Sequence, residues 1–157
     1  MGVSALCMVG MGGIGKTTLV KLAYNDERVQ NHFELKIWVN ASECRDAFDL
    51  AREVRDSRIV DELGLIILAT YLNNLKQRLR GTRYLLVIDG VFDESQIDWK
   101  NLGPFFMVGD KGSKIVITTS NECVSDVVGA ACYRLEGLSN SDCWLLVKEI
   151  AFVGGEF

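Results

Sequence analysis

The chain has 157 residues, 48% of them hydrophobic, which suits one domain of ordinary size with a packed core and excludes a disordered chain. Its 17 basic residues are scattered among 21 acidic ones for a formal charge of −4, so no basic face marks a nucleic-acid partner. Five cysteines without a C-x-x-C pair, beside the single histidine His32, exclude the usual zinc sets and read as reduced, mostly buried thiols of a cytoplasmic protein.

The opening MGVSALCMVG has no basic n-region and is too short for a signal peptide or a membrane span. Gly2 is followed by Leu6 where myristoylation asks for Ser or Thr. Val3 to Val9 is an apolar strand, a glycine-rich loop follows, and Lys16 to Tyr24 is a helix broken by Asn25 and Asp26. Leu35 to Asn40 is the second strand, and Ala47, Leu50, Ala51 and Val54 then recur as one face of a helix. A further helix runs from about Leu65 to Arg80, with Leu68, Leu72, Leu75 and Leu79 on one stripe and Gly81 at its C′ position. The apolar run from Leu63 to Leu72 is too short to cross a bilayer, so no membrane partner is expected.

Tyr84 to Asp89 (YLLVID) is apolar until its last residue, as a central parallel strand covered on both faces should be. Lys114 to Thr119 repeats that form, a short helix spans Val124 to Val128, and Cys132 to Leu135 is a fifth strand. Ser139, three residues before Asp142, opens a last helix through Trp144 and Leu145 to about Phe152, and Gly154 and Gly155 end it. Strands alternating with helices predict an α/β fold, a P-loop NTPase of three layers (α/β/α) around a five-stranded parallel sheet. With no element left to pack on the last helix, the chain reads as a piece of something longer.

Gly10 to Thr17 fits G-x-x-x-x-G-K-[ST], which average residue frequencies produce by chance in about one chain of this length in two hundred. Glycines let the backbone point successive N–H groups inward and touch phosphate oxygens, and the loop opens onto a helix N-terminus whose dipole attracts anions. Lys16 supplies a cation to the β- and γ-phosphates, the Thr17 hydroxyl suits Mg²⁺, and Thr18 is placed for an α-phosphate oxygen. The second half of a magnesium site is an acid ending a strand next to the P-loop strand or one removed from it, and Asp89 fits. Thr118, Thr119 and Ser120 end the following strand, where they either face a γ-phosphate or cap the strand end.

With these segments in hand, the sequence resembles the nucleotide-binding NB-ARC domain of plant disease-resistance proteins of the nucleotide-binding, leucine-rich-repeat kind. GMGGIGKTT, LAYNDERVQNHFELKIWVNAS, RYLLVIDGVFDE, GSKIVITTS and YRLEGLSNSDCWLLVKEIAF carry the resemblance, in order, over nearly the whole chain. Small GTPases would need a guanine-reading N/T-K-x-D, which is absent. The resemblance implies phosphate contacts at Gly12, Gly13, Gly15, Lys16, Thr17 and Thr18 and the magnesium acid at Asp89; with Gly10 and Ile14 of the motif and Thr119 of the strand end, these are the residues expected to hold ATP or ADP. It implies Mg²⁺ on Thr17 and, through water, on Asp89. It divides the chain into a nucleotide-binding subdomain, residues 1–138, and the first helix of a truncated helical (ARC) subdomain, residues 139–157. Partners would be the nucleotide and the other receptor domains: helical ARC, leucine-rich repeats and an N-terminal signalling domain.

Two positions depart from the family pattern. Gly90 stands where a second Asp is usual, and Ser120 where an Arg follows the paired threonines; Phe92 for Trp is a milder change. Since the Asp would orient or activate water and the Arg would sense the γ-phosphate, no catalytic residue is assigned and hydrolysis is expected to be slow or absent. Asp93 and Glu94 read as solvated loop acids. Downstream GLPL and MHD motifs and the residues ahead of the first strand that would meet adenine are missing from the chain, so the base pocket is incomplete. The leading function is an ADP/ATP switch, at most a slow ATPase. The alternatives are a degenerate P-loop interaction module with weak nucleotide binding and a P-loop small-substrate kinase or ATPase, the latter discounted because 99–111 offers only Lys100, Asp110 and Lys111 for a lid.

Overall fold

The structure is a computed structural model that describes residues 2–44, 64–93 and 98–152. The expected helix face at Ala47, Leu50, Ala51 and Val54 lies outside the described residues, as do Glu94 and the terminating Gly154 and Gly155. In chain order the elements are β1 (Val3–Val9), α1 (Lys16–Asn25), α2 (Glu27–His32), β2 (Leu35–Asn40) and a single 3₁₀ turn (Ala41–Glu43). After these come α3 (Gly64–Leu79), β3 (Tyr84–Val91), α4 (Trp99–Phe106), β4 (Ser113–Thr119), α5 (Cys123–Val128), β5 (Ala131–Arg134) and α6 (Asn140–Phe152).

The five strands form one parallel sheet in the order β2-β3-β4-β1-β5. Alternate residues of each central strand feed opposite faces, as the two-residue period of a strand requires. Val3, Cys7, Val9, Leu86, Ile88, Ile115 and Ile117 pack under α3, α4 and α5, where Leu72, Leu75, Leu79, Leu102, Phe106, Val124 and Val128 meet them. Met8, Leu85 and Val87 face the other way, against Val20 of α1 and the partly buried Tyr24, Val29, Phe33 and Trp38. Helices therefore cover both sides, giving the expected three layers. Gly81 takes a left-handed φ of 71° just past α3, the C′ role expected of it.

Three features differ from the sequence expectation. Asp26 both ends α1 and starts α2: its N–H bonds Ala23 O at 3.2 Å and its Oδ1 accepts the Arg28 N–H at 2.9 Å, so the break at Asn25-Asp26 is a corner between two helices. A helix also forms at Trp99–Phe106 although it contains Gly103 and Pro104, because Leu102 and Phe106 are buried and the Trp99 ring lies against Gly103. Finally, only Cys7 and Cys44 are buried. Cys123, Cys132 and Cys143 are exposed, on α5, on the short edge strand β5 and on α6, which corrects the expectation of mostly buried thiols.

Candidate functional site

The carboxyl ends of β1, β4 and β3 lie side by side, since Val9 pairs with Thr119 and Ile117 with Ile88, and the P-loop begins one residue after β1. The Gly10 N–H bonds the Thr119 carbonyl at 3.2 Å, tying the loop's first residue to the end of β4. Gly13 and Gly15 sit at φ 78° and 103°, conformations that cost an L side chain about 1–2 kcal/mol each. A Cβ at Gly12, Gly13 or Gly15 would meet nothing within 4 Å, so these three line an open cradle rather than a packed turn.

Gly15 is the N-cap of α1 and offers no side chain to the first-turn N–H groups, and that turn carries no acid. The positive end of the helix therefore faces the cradle unneutralised, as an anion site requires. Lys16 folds its ammonium back over the loop, donating to Gly10 O at 2.5 Å and Met11 O at 2.9 Å. Partial burial pulls this ammonium below the usual lysine range, and the Asp89 carboxylate opposes that pull.

Asp89 lies near the end of β3, one strand removed from β1 with β4 between, and is 8% exposed. Its Oδ1 accepts the hydroxyl of Thr17 at 2.8 Å and that of Thr118 at 2.5 Å. The loop and the acidic strand, 72 residues apart, are thus joined by one hydrogen bond between the two side chains expected at a cation. Among the described residues no group of three or more His, Cys, Asp or Glu side chains could hold a metal by itself. An oxygen pair such as Thr17 and Asp89 suits Mg²⁺ when phosphate oxygens complete its shell, the usual manner for that ion.

Ile14 and Thr18 lie in the loop and the first turn of α1, whereas Thr119 turns its hydroxyl into the strand end, accepting from Asn121 N at 2.9 Å and donating to Asn121 O at 3.3 Å. These bonds are of the kind a strand-end cap makes. Ser120 follows, exposed. Gly90, where a second acid was expected by resemblance, has φ 80° at a register shift between Ile88 and Val91, and its N–H donates to Thr118 Oγ1 at 2.8 Å. Neither the left-handed Gly90 nor the Thr118 contact to Asp89 was foreseen; the paired threonines beside the acidic strand were the only signal.

A second concavity, an apolar groove of about 490 Å³ beside α1 lined by residues such as Leu6, Leu19, Val116 and Ala131, shares no lining residue with this site. Among the described residues no helix is long and apolar enough to cross a membrane.

The family model of the NB-ARC domain matches residues 1–155. Disease resistance protein RGA2 of Solanum bulbocastanum is 42% identical over 151 residues, a match covering 95% of this chain and 16% of that protein. Disease resistance RPP13-like protein 4 of Arabidopsis thaliana is 33% identical over 158 residues, covering 96% of this chain and 18% of that one. The chain thus spans less than a fifth of the length of either relative. Among solved structures, a chain of the Drosophila ORC bound to DNA superposes with a TM-score of 0.64 over 98% of this chain and 41% of its own, at 12% identity, a likeness of fold alone.

Proposed function

The chain belongs to the NB-ARC family, whose relatives here are plant disease resistance proteins, and from that premise we propose that it is the nucleotide-responsive switch of such a receptor, holding ADP or ATP with Mg²⁺ and hydrolysing ATP slowly or not at all. The observation that carries the reading is the bare cradle of Gly12, Gly13 and Gly15 under the Lys16 ammonium, with Thr17 hydrogen-bonded to Asp89 at its edge.

Each residue has a task the geometry suits. Backbone N–H groups of the loop and of the first turn of α1 receive phosphate oxygens, and the left-handed glycines keep Cβ atoms out of their way. Lys16 exchanges its two loop carbonyls for phosphate oxygen, replacing neutral acceptors by a charged one. Thr17 and Asp89 are the residues that would hold the cation, Asp89 through water. Bound Mg²⁺ would neutralise phosphate charge.

Slow turnover follows from what flanks Asp89. Gly90 brings no side chain to orient water, and Ser120 brings no cation for the γ-phosphate. Such groups are worth roughly 10² to 10⁴ in rate for a positioned base and up to about 10⁵ for a phosphate-directed arginine. In this reading residues 1–138 form the nucleotide-binding subdomain of a cytoplasmic receptor, and residues 139–157 open the helical subdomain. The Ser139 hydroxyl caps that helix, accepting from Asp142 N at 3.1 Å. The test is equilibrium titration of a fluorescent ADP analogue into the chain with Mg²⁺ and with EDTA. Saturable binding tightened by Mg²⁺ is expected, and its absence favours the interaction-module alternative.

A further inference from the structure

Thr118, the penultimate residue of β4, lies outside the nucleotide motif yet touches the acid at its edge. It is 1% exposed, and its hydroxyl sits 2.5 Å from Asp89 Oδ1 and 2.8 Å from the Gly90 backbone nitrogen. A backbone N–H can only donate and a carboxylate only accepts, so the hydroxyl proton points at Asp89 and a lone pair at Gly90. The donor and one acceptor lone pair are thus both engaged. The left-handed φ of Gly90 belongs to the same arrangement, because the register shift between Ile88 and Val91 turns that N–H toward β4.

We propose that Thr118, held by the Gly90 N–H, is the positioning residue of the cation site: its hydroxyl sets the orientation of the Asp89 carboxylate on which the Mg²⁺-dependent part of nucleotide affinity depends. The proposal rests on the nucleotide-site reading above. Two hydroxyls donate to Asp89 Oδ1, from Thr17 and from Thr118. Thr17 would give up its bond on turning its oxygen to a cation. Thr118 belongs to β4 rather than to the loop, so it would remain as the donor that keeps the carboxylate aimed. Groups that orient a metal-site carboxylate in this way typically account for about 10- to 100-fold in metal affinity. The position after Asp89 thus works through its backbone rather than through a side chain.

The experiment titrates Mg²⁺ into the chain with a fluorescent ADP analogue at fixed concentration, and measures the analogue's affinity separately in EDTA. Thr118→Val removes the hydroxyl at nearly constant volume. It should leave the EDTA affinity unchanged and raise the Mg²⁺ needed for half the enhancement by about 10- to 100-fold. Thr118→Ser should behave as the unmodified chain, a rescue that lost packing could not give. Should the valine variant fail to fold, Thr118→Ala against Thr118→Ser makes the same comparison. An unchanged Mg²⁺ requirement without the hydroxyl, or a serine variant as impaired as valine, overturns the proposal. Asp89→Asn separates the two layers: if it weakens the Mg²⁺ effect while Thr118→Val does not, only the positioning role falls. If Asp89→Asn is also without effect, the placement of the cation site falls with it.

Discussion

Replacing Gly90 by Asp and Ser120 by Arg restores the two side chains that the family pattern carries and this chain lacks, and the structure sets the cost. At Gly90 the obstacle is backbone conformation rather than space: a Cβ would meet Ser42 Cβ at 3.5 Å and Asn40 Oδ1 at 3.8 Å, ordinary contacts, but φ is 80°. A left-handed residue other than glycine costs about 1–2 kcal/mol, somewhat less for Asp. With an unfolding entropy of about 2.1 cal/mol/K per residue, roughly 0.33 kcal/mol/K for this chain, Tm should fall by about 3–6 °C. If the backbone keeps its bend, the new side chain starts on the side of Asn40 and Ser42, next after Asp89 in the chain, and single-turnover ATP hydrolysis should rise by at least about 10²-fold in the double variant. Calorimetry and a rapid-quench assay at saturating ATP give the two readouts. An unmodified chain that already turns over at several per second, or a double variant that binds ATP yet hydrolyses it no faster, refutes the assignment of these positions. A Tm equal to that of the unmodified chain refutes the strain at Gly90.

Burial, with a smaller push from the neighbouring Cys132 thiol, raises the Cys7 thiol from 9.0 to about 11. At pH 8 iodoacetamide should label the exposed Cys123, Cys132 and Cys143 well before Cys7, whose rate should climb about tenfold per pH unit; equal rates for all four, followed by peptide mass, contradict the burial. Because this thiol titrates higher folded than unfolded, its contribution to stability is complete below pH 9.0 and is lost as pH rises through about 11. Gly109→Ala drives a methyl group into the fully buried Tyr84 ring and to 2.7 Å from Ser113 Oγ, so urea unfolding should show a loss of about 1–3 kcal/mol, and an unchanged midpoint would contradict the packing there.

The central strands and the phosphate loop were legible because each is written in a few adjacent residues. YLLVID can be covered on both faces only in the middle of a parallel sheet, and GMGGIGKTT packs its chemistry into one turn. The place of Asp89 near the end of β3 was legible for the same reason, as the first polar residue after a buried run. What could not be read depends on contacts between distant segments. Trp99–Phe106 has poor helix propensity at Gly103-Pro104 and forms because the sheet buries Leu102 and Phe106. Gly90 read as a lost acid, whereas its left-handed turn and its bond to Thr118, 28 residues on, exist only once β3 and β4 pair. The exposed Cys132 was missed because its strand, apolar in composition, lies at the sheet edge.

The most direct test of the account is the affinity of the chain for a fluorescent ADP analogue beside that of Lys16→Ala. The lysine's removal takes one charge-assisted bond to phosphate, about 1.5–3 kcal/mol, and so about 10- to 150-fold in Kd. Its described side-chain bonds in the fold are to two carbonyls of its own loop, outside the packed core, so the variant should stay folded without nucleotide. Saturable binding by the unmodified chain that weakens by that factor in a folded variant is the predicted result; equal affinity in the two, or no binding by either, contradicts the nucleotide site.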